Sequence, residues 1–539
     1  MKSFKPFPKF FKKAAAAALA AITSAGFALP AGAADANADS SVDSGYINYA
    51  SALQYSLYIF DANMCGGDVD EKCALDWRGN CHTYDIYEYN GKQIDLSGGY
   101  HDAGDHVKFG LPAAYTMATL ELAYNEFGSA FKKTKQDAHL KVILDRFADY
   151  FKKCAVYGDD GKIETFCYQV GTGGGDYDHG YWGPPEDQPK EYNIGERQAY
   201  FTSDDNPCAD IVAGTAAALA AHYVNYGDKA SLQVAKDLFV YMREHEKVVS
   251  EVPQYVRWQD AHSPNDPWDY ISLAALWLNK ATGTEDDSDM INPLGLGKRL
   301  TDWPCNWDGV WPMVNVLKGD WQAVANNNCK NNFGSRFRFI QKWGSARLNA
   351  NMQFIGLIHD NNNDTTKFTE WARGQMDYLF GKNDQNQAYI IGYNYRDDVK
   401  YPLYPHHRAS DGGDESPGGW NEETNEPIIA RKQAHVLIGA LVGGPETSLG
   451  DYHDSLNNYV GNEVAIDYSA GFIGSLAALY LQYGQGDEII SPPSLMGEGV
   501  KDMYQDTGRG SVVPIVIVCA AVAAAAVCTV YFLKKKKVK

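Results

Sequence analysis

The densest concentration of reactive groups is Gly98-Gly99-Tyr100-His101-Asp102-Ala103-Gly104-Asp105-His106-Val107-Lys108-Phe109-Gly110. Two carboxylates, two imidazoles and a lysine stand between glycines. A helix interior accommodates neither a Gly pair nor an Asp-Ala-Gly-Asp run, so this is a loop or a sharp turn. It leads directly into an apolar, helix-like run over residues 111–127. Asp102 and Asp105, three residues apart at a loop-to-helix junction, can aim at one point in space. Such a pair can bind a metal, or hold and deprotonate a water. A single Asp there reads as an Asx turn or an N-cap; the whole cluster reads as function.

Two later segments have the same character. Tyr404-Pro405-His406-His407-Arg408 places two His and an Arg after a Pro. Tyr452-His453-Asp454, then Tyr459, then residues 462–472, beginning Asn462-Glu463, set acids and aromatics before another apolar run. Taken singly each is weak: a His pair is more often structural, and a Glu near a helix start is usually a capping or dipole residue. No phosphate loop or dinucleotide fingerprint is present. Gly171-Thr172-Gly173-Gly174-Gly175 runs into Asp176-Tyr177-Asp178-His179, whose acids would repel a phosphate.

The elements that must carry these loops are mostly helical. Apolar residues recur at helical spacing over 46–62, 111–127, 137–151, 211–226, 231–246, 270–280, 309–318, 345–360, 366–379, 434–441 and 470–483. Long loops full of Gly, Asp, Asn, Trp and Tyr join them, and loops that long are usually functional. The pattern predicts an all-α helical barrel or toroid with its site at one mouth. Periodicity supplies the helices and not their closure.

The two ends read as targeting segments. Basic residues Lys2 to Lys13, an apolar run to Leu29 and the small residues before Ala34 follow the plan of a secretory signal peptide over residues 1–33. Residues 512–533 are almost wholly apolar and run into Lys534, Lys535, Lys536 and Lys537. About 20 apolar residues cross a bilayer as one helix, and lysines after it keep that end cytoplasmic. The expectation is a cell-membrane protein with a single C-terminal transmembrane helix, a cytoplasmic tail at 534–539, a tether at 485–511 and a catalytic domain outside. Aromatics make up 13% of the chain, as in a globular protein. The formal net charge of −20 argues against nucleic acid as a partner, and a monomer is expected. Of the ten cysteines, Cys519 and Cys528 fall in the apolar tail and the other eight outside it. Disulfides persist in that compartment. Cys154 with Cys167 and Cys305 with Cys329 are candidate pairs, though sequence alone does not fix connectivity.

Taken together the motifs are specific. Residues 98–110, Pro405 to Arg408, and residues 435–445 leading to Asn462-Glu463 resemble, in order, the catalytic domain of glycoside hydrolase family 9, the cellulases and related endoglucanases. Tyr181 to Glu186, Trp77-Arg78-Gly79 and Ala281-Thr282-Gly283 extend the likeness over residues 46–484. The resemblance implies an (α/α)6 barrel with an open cleft at one end, and hydrolysis of β-1,4-glucan with inversion at the anomeric carbon. Inverting enzymes need a base that activates water and an acid that protonates the leaving oxygen, with room for that water between them. By the family pattern Asp105 is the base and Asp102 helps hold the water. Glu463 is the acid, with a raised pKa. Asp454 matches a further acidic position, His406 the family's active-site histidine, and Arg408 a sugar-hydroxyl ligand. His179, Trp182, Trp343 and Tyr468 fall where the family lines its cleft, where aromatic rings suit the apolar faces of sugars.

The chain departs from the pattern in three places. The loop from Gly392 to Pro405 is longer, Ser469 replaces the usual Asn, and Gly214 replaces an acid of the calcium site found in some members, of which Asp210 and Asp269 remain. Calcium is therefore not expected. Cys65, Cys81, His82 and His101 form a Cys2His2 set, and some members hold a structural zinc with such a set. The competing reading is a disulfide among Cys65, Cys73 and Cys81. Two other functions compete with an endoglucanase: a catalytically inactive surface glycan-binding protein, against which Asp102, Asp105 and Glu463 speak, and a metallohydrolase built on His101, Asp102, Asp105 and His106, which leaves the distant motifs unexplained. Endo action is expected, with processive or exo action as the alternative.

Overall fold

Helix-favouring apolar periodicity is realised in ten principal helices of a computed structural model. It describes residues 47–172, 178–193, 195–244, 267–291, 303–327, 336–393, 398–412, 420–421, 426–427 and 433–484. All belong to the unit Gly45–Lys539; the chain's other unit, Met1–Ser44, lies outside them. The expected signal peptide, tether, membrane span and tail also lie outside the described residues. Among the described residues no helix is long and apolar enough to cross a membrane.

The helices are α1 (Tyr49–Ser56), α2 (Gly110–Lys133), α3 (Asp137–Cys154), α4 (Ala209–Tyr226), α5 (Lys229–Glu244), α6 (Trp268–Thr282), α7 (Trp311–Lys318), α8 (Ser345–Asn363), α9 (Thr369–Leu379) and α10 (Ile466–Tyr483). Six touch in a closed circuit: α10 packs on α2, α2 on α4, α4 on α6, α6 on α7, α7 on α8, and α8 back on α10. Outside that circuit α3 lies against α2 and α4, α5 against α4 and α6, α9 against α8, and α1 against α10. The composition follows the layer. Helix α4 carries Ala216-Ala217-Ala218-Leu219-Ala220-Ala221, every one fully buried, because an inner helix meets protein on all sides. Helices α3 and α5 keep a polar outer face, with Lys141 and Asp149 exposed and Asp145 half-buried along α3. The helix-rich architecture is consistent with the expected (α/α)6 barrel.

Two expectations need correction. Residues 434–441 are not helical. Gly439 sits at φ +81°, and a Cβ there would lie 2.2 Å from the Tyr55 carbonyl carbon, so the backbone presses on α1. Leu441 pairs as a β-bridge with Ile390 instead. Within the run residues 437–441 are buried without helical backbone while Val436 is exposed, and helical spacing does not distinguish such a short buried segment from a helix. The run 46–62 is also divided: around Leu57 the chain tightens to bonds from Leu57 N to Gln54 O and from Phe60 N to Leu57 O.

Strands were not anticipated. β1 (Ile86–Tyr89) and β2 (Lys92–Asp95) form a hairpin, while β3 (Lys108–Phe109), β4 (Ala155–Tyr157), β5 (Ile163–Val170) and β6 (Ala199–Phe201) form a small sheet. This sheet positions chemistry. Lys108 and Phe109 pair with Val170 and Gln169, which clamps the end of the Asp105 loop against β5. Gly110 must follow, since a Cβ there would meet Tyr168 O at 2.5 Å.

Candidate active site

Asp102 and Asp105 lie on one tight loop, closed by Asp102 N donating to Val107 O at 2.9 Å. Three other segments hold that loop. Asn63 donates from its side chain to His101 O and Ala103 O at 3.1 and 2.9 Å, and accepts from His407 Nε2 at 2.9 Å. Arg408 N donates to Gly104 O at 3.0 Å, and Ile466 N to Asp102 O at 2.9 Å. Gly104 touches the 406–407 backbone so closely that a Cβ would lie 2.0 Å from His406 O. The three motifs, more than three hundred residues apart at their extremes, thus meet at one place.

Asp105 is buried, and its Oδ2 lies 2.5 Å from His179 Nδ1. Burial alone would raise its pKa. The hydrogen bond and charge of His179, with the charge of Arg408, outweigh burial and hold Asp105 below the usual carboxylate range. Burial and the charges of Asp467, Asp105 and Glu463 push Asp102 well above that range.

Glu463 reaches the same place from the turn before α10. It bridges His406 along the backbone, and its carbonyl accepts from Gly443 N at 2.8 Å. Its Oε2 faces Trp343 Nε1 at 3.3 Å and the Tyr468 hydroxyl at 3.5 Å. Burial first, and then the charge of Asp105, raise its pKa to about 8. Beneath it Arg347 pairs with Asp467 at 2.7 Å and lies 5.0 Å from the centre of the Tyr468 ring. Tyr468 is itself buried, so it supports the acid from within the wall.

His406 is held with Nδ1 2.6 Å from Leu456 O. A carbonyl can only accept, so Nδ1 carries the proton and Nε2 the lone pair. Burial, then the neighbouring Arg408, lower its pKa to about 4, which keeps the ring neutral. His407 is a helix cap, accepting from Ser410 N at 3.1 Å. Trp182 stands edge-on to His406 at 5.4 Å, lies under Arg408 at 5.3 Å and donates to Asp411 at 2.7 Å. Trp343 meets Tyr459 at 5.5 Å, and Tyr459 is 53% exposed, so these two rings form an open aromatic rim. Asp454 uses both oxygens inward: it accepts from Leu403 N at 2.8 Å, Tyr404 N at 3.0 Å and Asn462 Nδ2 at 2.9 Å. Part of the long 392–405 loop lies outside the described residues.

Cys65, Cys81, His82 and His101 are brought together: their ligand atoms all lie within 4.8 Å of one another, and all four residues are buried. A buried, four-membered N/S set matches what zinc prefers. Cys65, Cys73 and Cys81 are free thiols, and Cys73 stands apart, donating to Asp61 O at 3.3 Å. Cys154 and Cys167 adjoin as thiols without a bridge. Cys305 is also free, and its candidate partner Cys329 lies outside the described residues. At the position of the calcium pattern, Asp269 accepts from Tyr270 N and Val310 N, both at 2.8 Å, and Asp210 from Ile211 N at 3.0 Å.

A closed circuit of helices whose loops bring Asp102, Asp105 and Glu463 together beside an aromatic rim suits a glycoside hydrolase. Comparison with known proteins agrees. The chain matches glycosyl hydrolase family 9 over residues 49–476 and belongs to that family. It is 29% identical over 508 residues to "Endoglucanase A" of Bacillus pumilus, covering 85% of this chain and 70% of that one. "Endoglucanase B" of Cellulomonas fimi is 30% identical over 486 residues, which cover 83% of this chain and 43% of that protein. Among solved structures, the catalytic domain of Clostridium thermocellum CelT superposes with a TM-score of 0.74 at 34% identity, over 84% of this chain and all (100%) of that one. The cellulase Cel9M of C. cellulolyticum in complex with cellobiose gives a TM-score of 0.69 at 32% identity, over 82% of this chain and 100% of that chain.

Proposed function

We propose that this glycoside hydrolase is an inverting endo-β-1,4-glucanase acting on cellulose or a related β-glucan. One observation carries the reading: His179 lies on the Asp105 carboxylate and, against burial, holds its pKa below the usual range, while burial and the charge of Asp105 raise that of Glu463 to about 8. Two carboxyls whose surroundings push their pKa values apart are an acid and a base. Asp105 takes the proton of the attacking water, which Asp102 helps hold. Glu463 gives its proton to the departing sugar oxygen. Trp343 and Tyr468 orient that proton. His406 Nε2 accepts from a sugar hydroxyl, Arg408 donates to one, and Trp343 and Tyr459 offer apolar faces, while the buried Trp182 supports Arg408 from beneath. Asp454 holds the loop before His406 and the Asn462 that precedes Glu463, so its role is to position.

The relatives' names support the substrate class, and the solved CelQ of Clostridium thermocellum, at 27% identity and a TM-score of 0.68, is complexed with cellotetraose. Endo action makes a definite forecast. The viscosity of a soluble β-1,4-glucan should collapse while few reducing ends have formed; a viscosity that lags behind steady release of cellobiose would assign exo or processive action.

Cys65, Cys81, His82 and His101 would hold a structural zinc. The metal would supply rigidity to the loop that ends in Asp102 and Asp105, and no part of the reaction passes through it. The apolar, lysine-ended tail supports anchoring at the cell surface, with residues 46–484 outside. Removing residues 512–539 should release active enzyme into the medium; intact protein fractionating with the cytosol would contradict the anchor.

A further inference from the structure

Gln188 belongs to none of the motifs. It is 3% exposed, and its Oε1 lies 3.0 Å from His82 Nε2 and 2.7 Å from His106 Nδ1. An amide carbonyl has two lone pairs and no proton, so it accepts from both rings. Donation from His82 Nε2 leaves the lone pair on His82 Nδ1, the atom that faces His101 Nε2 at 3.2 Å. That is the atom a metal within the Cys65, Cys81, His82 and His101 cluster requires. Donation from His106 Nδ1 fixes the ring that directly follows Asp105. One oxygen therefore sets the tautomer of a metal-set histidine and of a histidine on the catalytic loop.

The surroundings keep Gln188 in that place. Tyr84 donates to its backbone carbonyl at 2.8 Å, and Glu186 binds Arg78 Nε and Gly79 N, both at 2.8 Å. The 186–188 segment is thus fastened to the same 78–84 loop that carries Cys81 and His82. His82 also holds φ +47°, a left-handed conformation that a non-glycine residue adopts only when its surroundings impose it. Adjacent Cys81 and His82 can both face one cluster because of that turn.

We propose that Gln188 is the positioning residue that aims His82 Nδ1 into the metal cluster and, through His106, ties that cluster to the Asp105 loop. The proposal rests on the zinc reading and adds to it. Partners that orient a ligating histidine typically contribute 10–100-fold to metal affinity.

The test uses the full chain with Gln188→Met, which keeps shape and removes the acceptor, and Gln188→Glu, which only accepts. Zinc content is measured by elemental analysis, zinc retention against a chromophoric chelator, and ligand geometry by the visible spectrum of cobalt-substituted protein. Gln188→Met should lose zinc affinity by roughly 10–100-fold and shift the cobalt bands; Gln188→Glu should match the parent in both. Parental affinity and spectrum in a folded Gln188→Met protein would overturn the proposal and leave zinc standing. Weakened binding in Gln188→Glu would also overturn it, since the amide would then be donating, and this arm decides even if Gln188→Met does not fold. A parent protein purified without zinc, unable to bind it, would overturn the zinc reading and this inference together.

Discussion

A folded Asp105→Ala protein should lose turnover by about 10²–10⁴-fold, the usual contribution of a positioned base. The loop does not depend on this side chain for its shape. Its backbone is fixed by Asp102 N to Val107 O, Arg408 N to Gly104 O and Ile466 N to Asp102 O, and by Asn63 on the His101 and Ala103 carbonyls. Removing the carboxylate takes away the acceptor for the water's proton and leaves His179 without that partner. Turnover of a soluble β-1,4-glucan, measured beside a circular dichroism spectrum, decides the matter. Parental activity in the folded variant would remove Asp105 from the role of base.

Glu463→Gln should have an effect as large on cellulose, about 10²–10⁴-fold, with a difference that depends on substrate. Gln retains the shape and the contact with Trp343 but has no proton to give. A β-glucoside oligomer with a nitrophenyl leaving group departs without protonation and should be spared. The pH dependence has a definite sign. Glu463 acts only while protonated, and its pKa is about 8, so parental activity on cellulose should fall as pH rises through about 8. In Glu463→Gln, residual cleavage of the activated substrate should lack that alkaline fall. Equal losses on both substrates would show that Glu463 is not the proton donor.

Residues clustered in sequence were legible; residues that meet only in space were not. The Asp-Ala-Gly-Asp loop announces itself because its glycines and acids break a helical pattern just before one resumes. Likewise Cys81-His82, with Cys65 and His101, pointed to the cluster that the fold assembles. Asn63, Gln188 and the Arg347–Asp467 pair carried no local signal: each acts on partners about forty to three hundred and forty residues away. His179 was expected to line the cleft, and the structure sets it on the Asp105 carboxylate itself. The run 434–441 misled because a short apolar stretch buried outside a helix, here residues 437–441, can show the same spacing. The β1–β2 hairpin could have been read from Asn90-Gly91, both at positive φ, a dipeptide that favours two-residue hairpin turns.

The central claim is that Asp105 delivers water to the face of the sugar opposite the leaving group while Glu463 protonates that group. Such a reaction forms no glycosyl-enzyme and inverts the anomeric centre. Proton NMR of a fresh digest of a β-1,4-linked oligomer measures this directly, before mutarotation mixes the products. The α-anomer should appear first. If the β-anomer appears first, the enzyme retains configuration, and the pairing of Asp105 as base with Glu463 as acid is wrong.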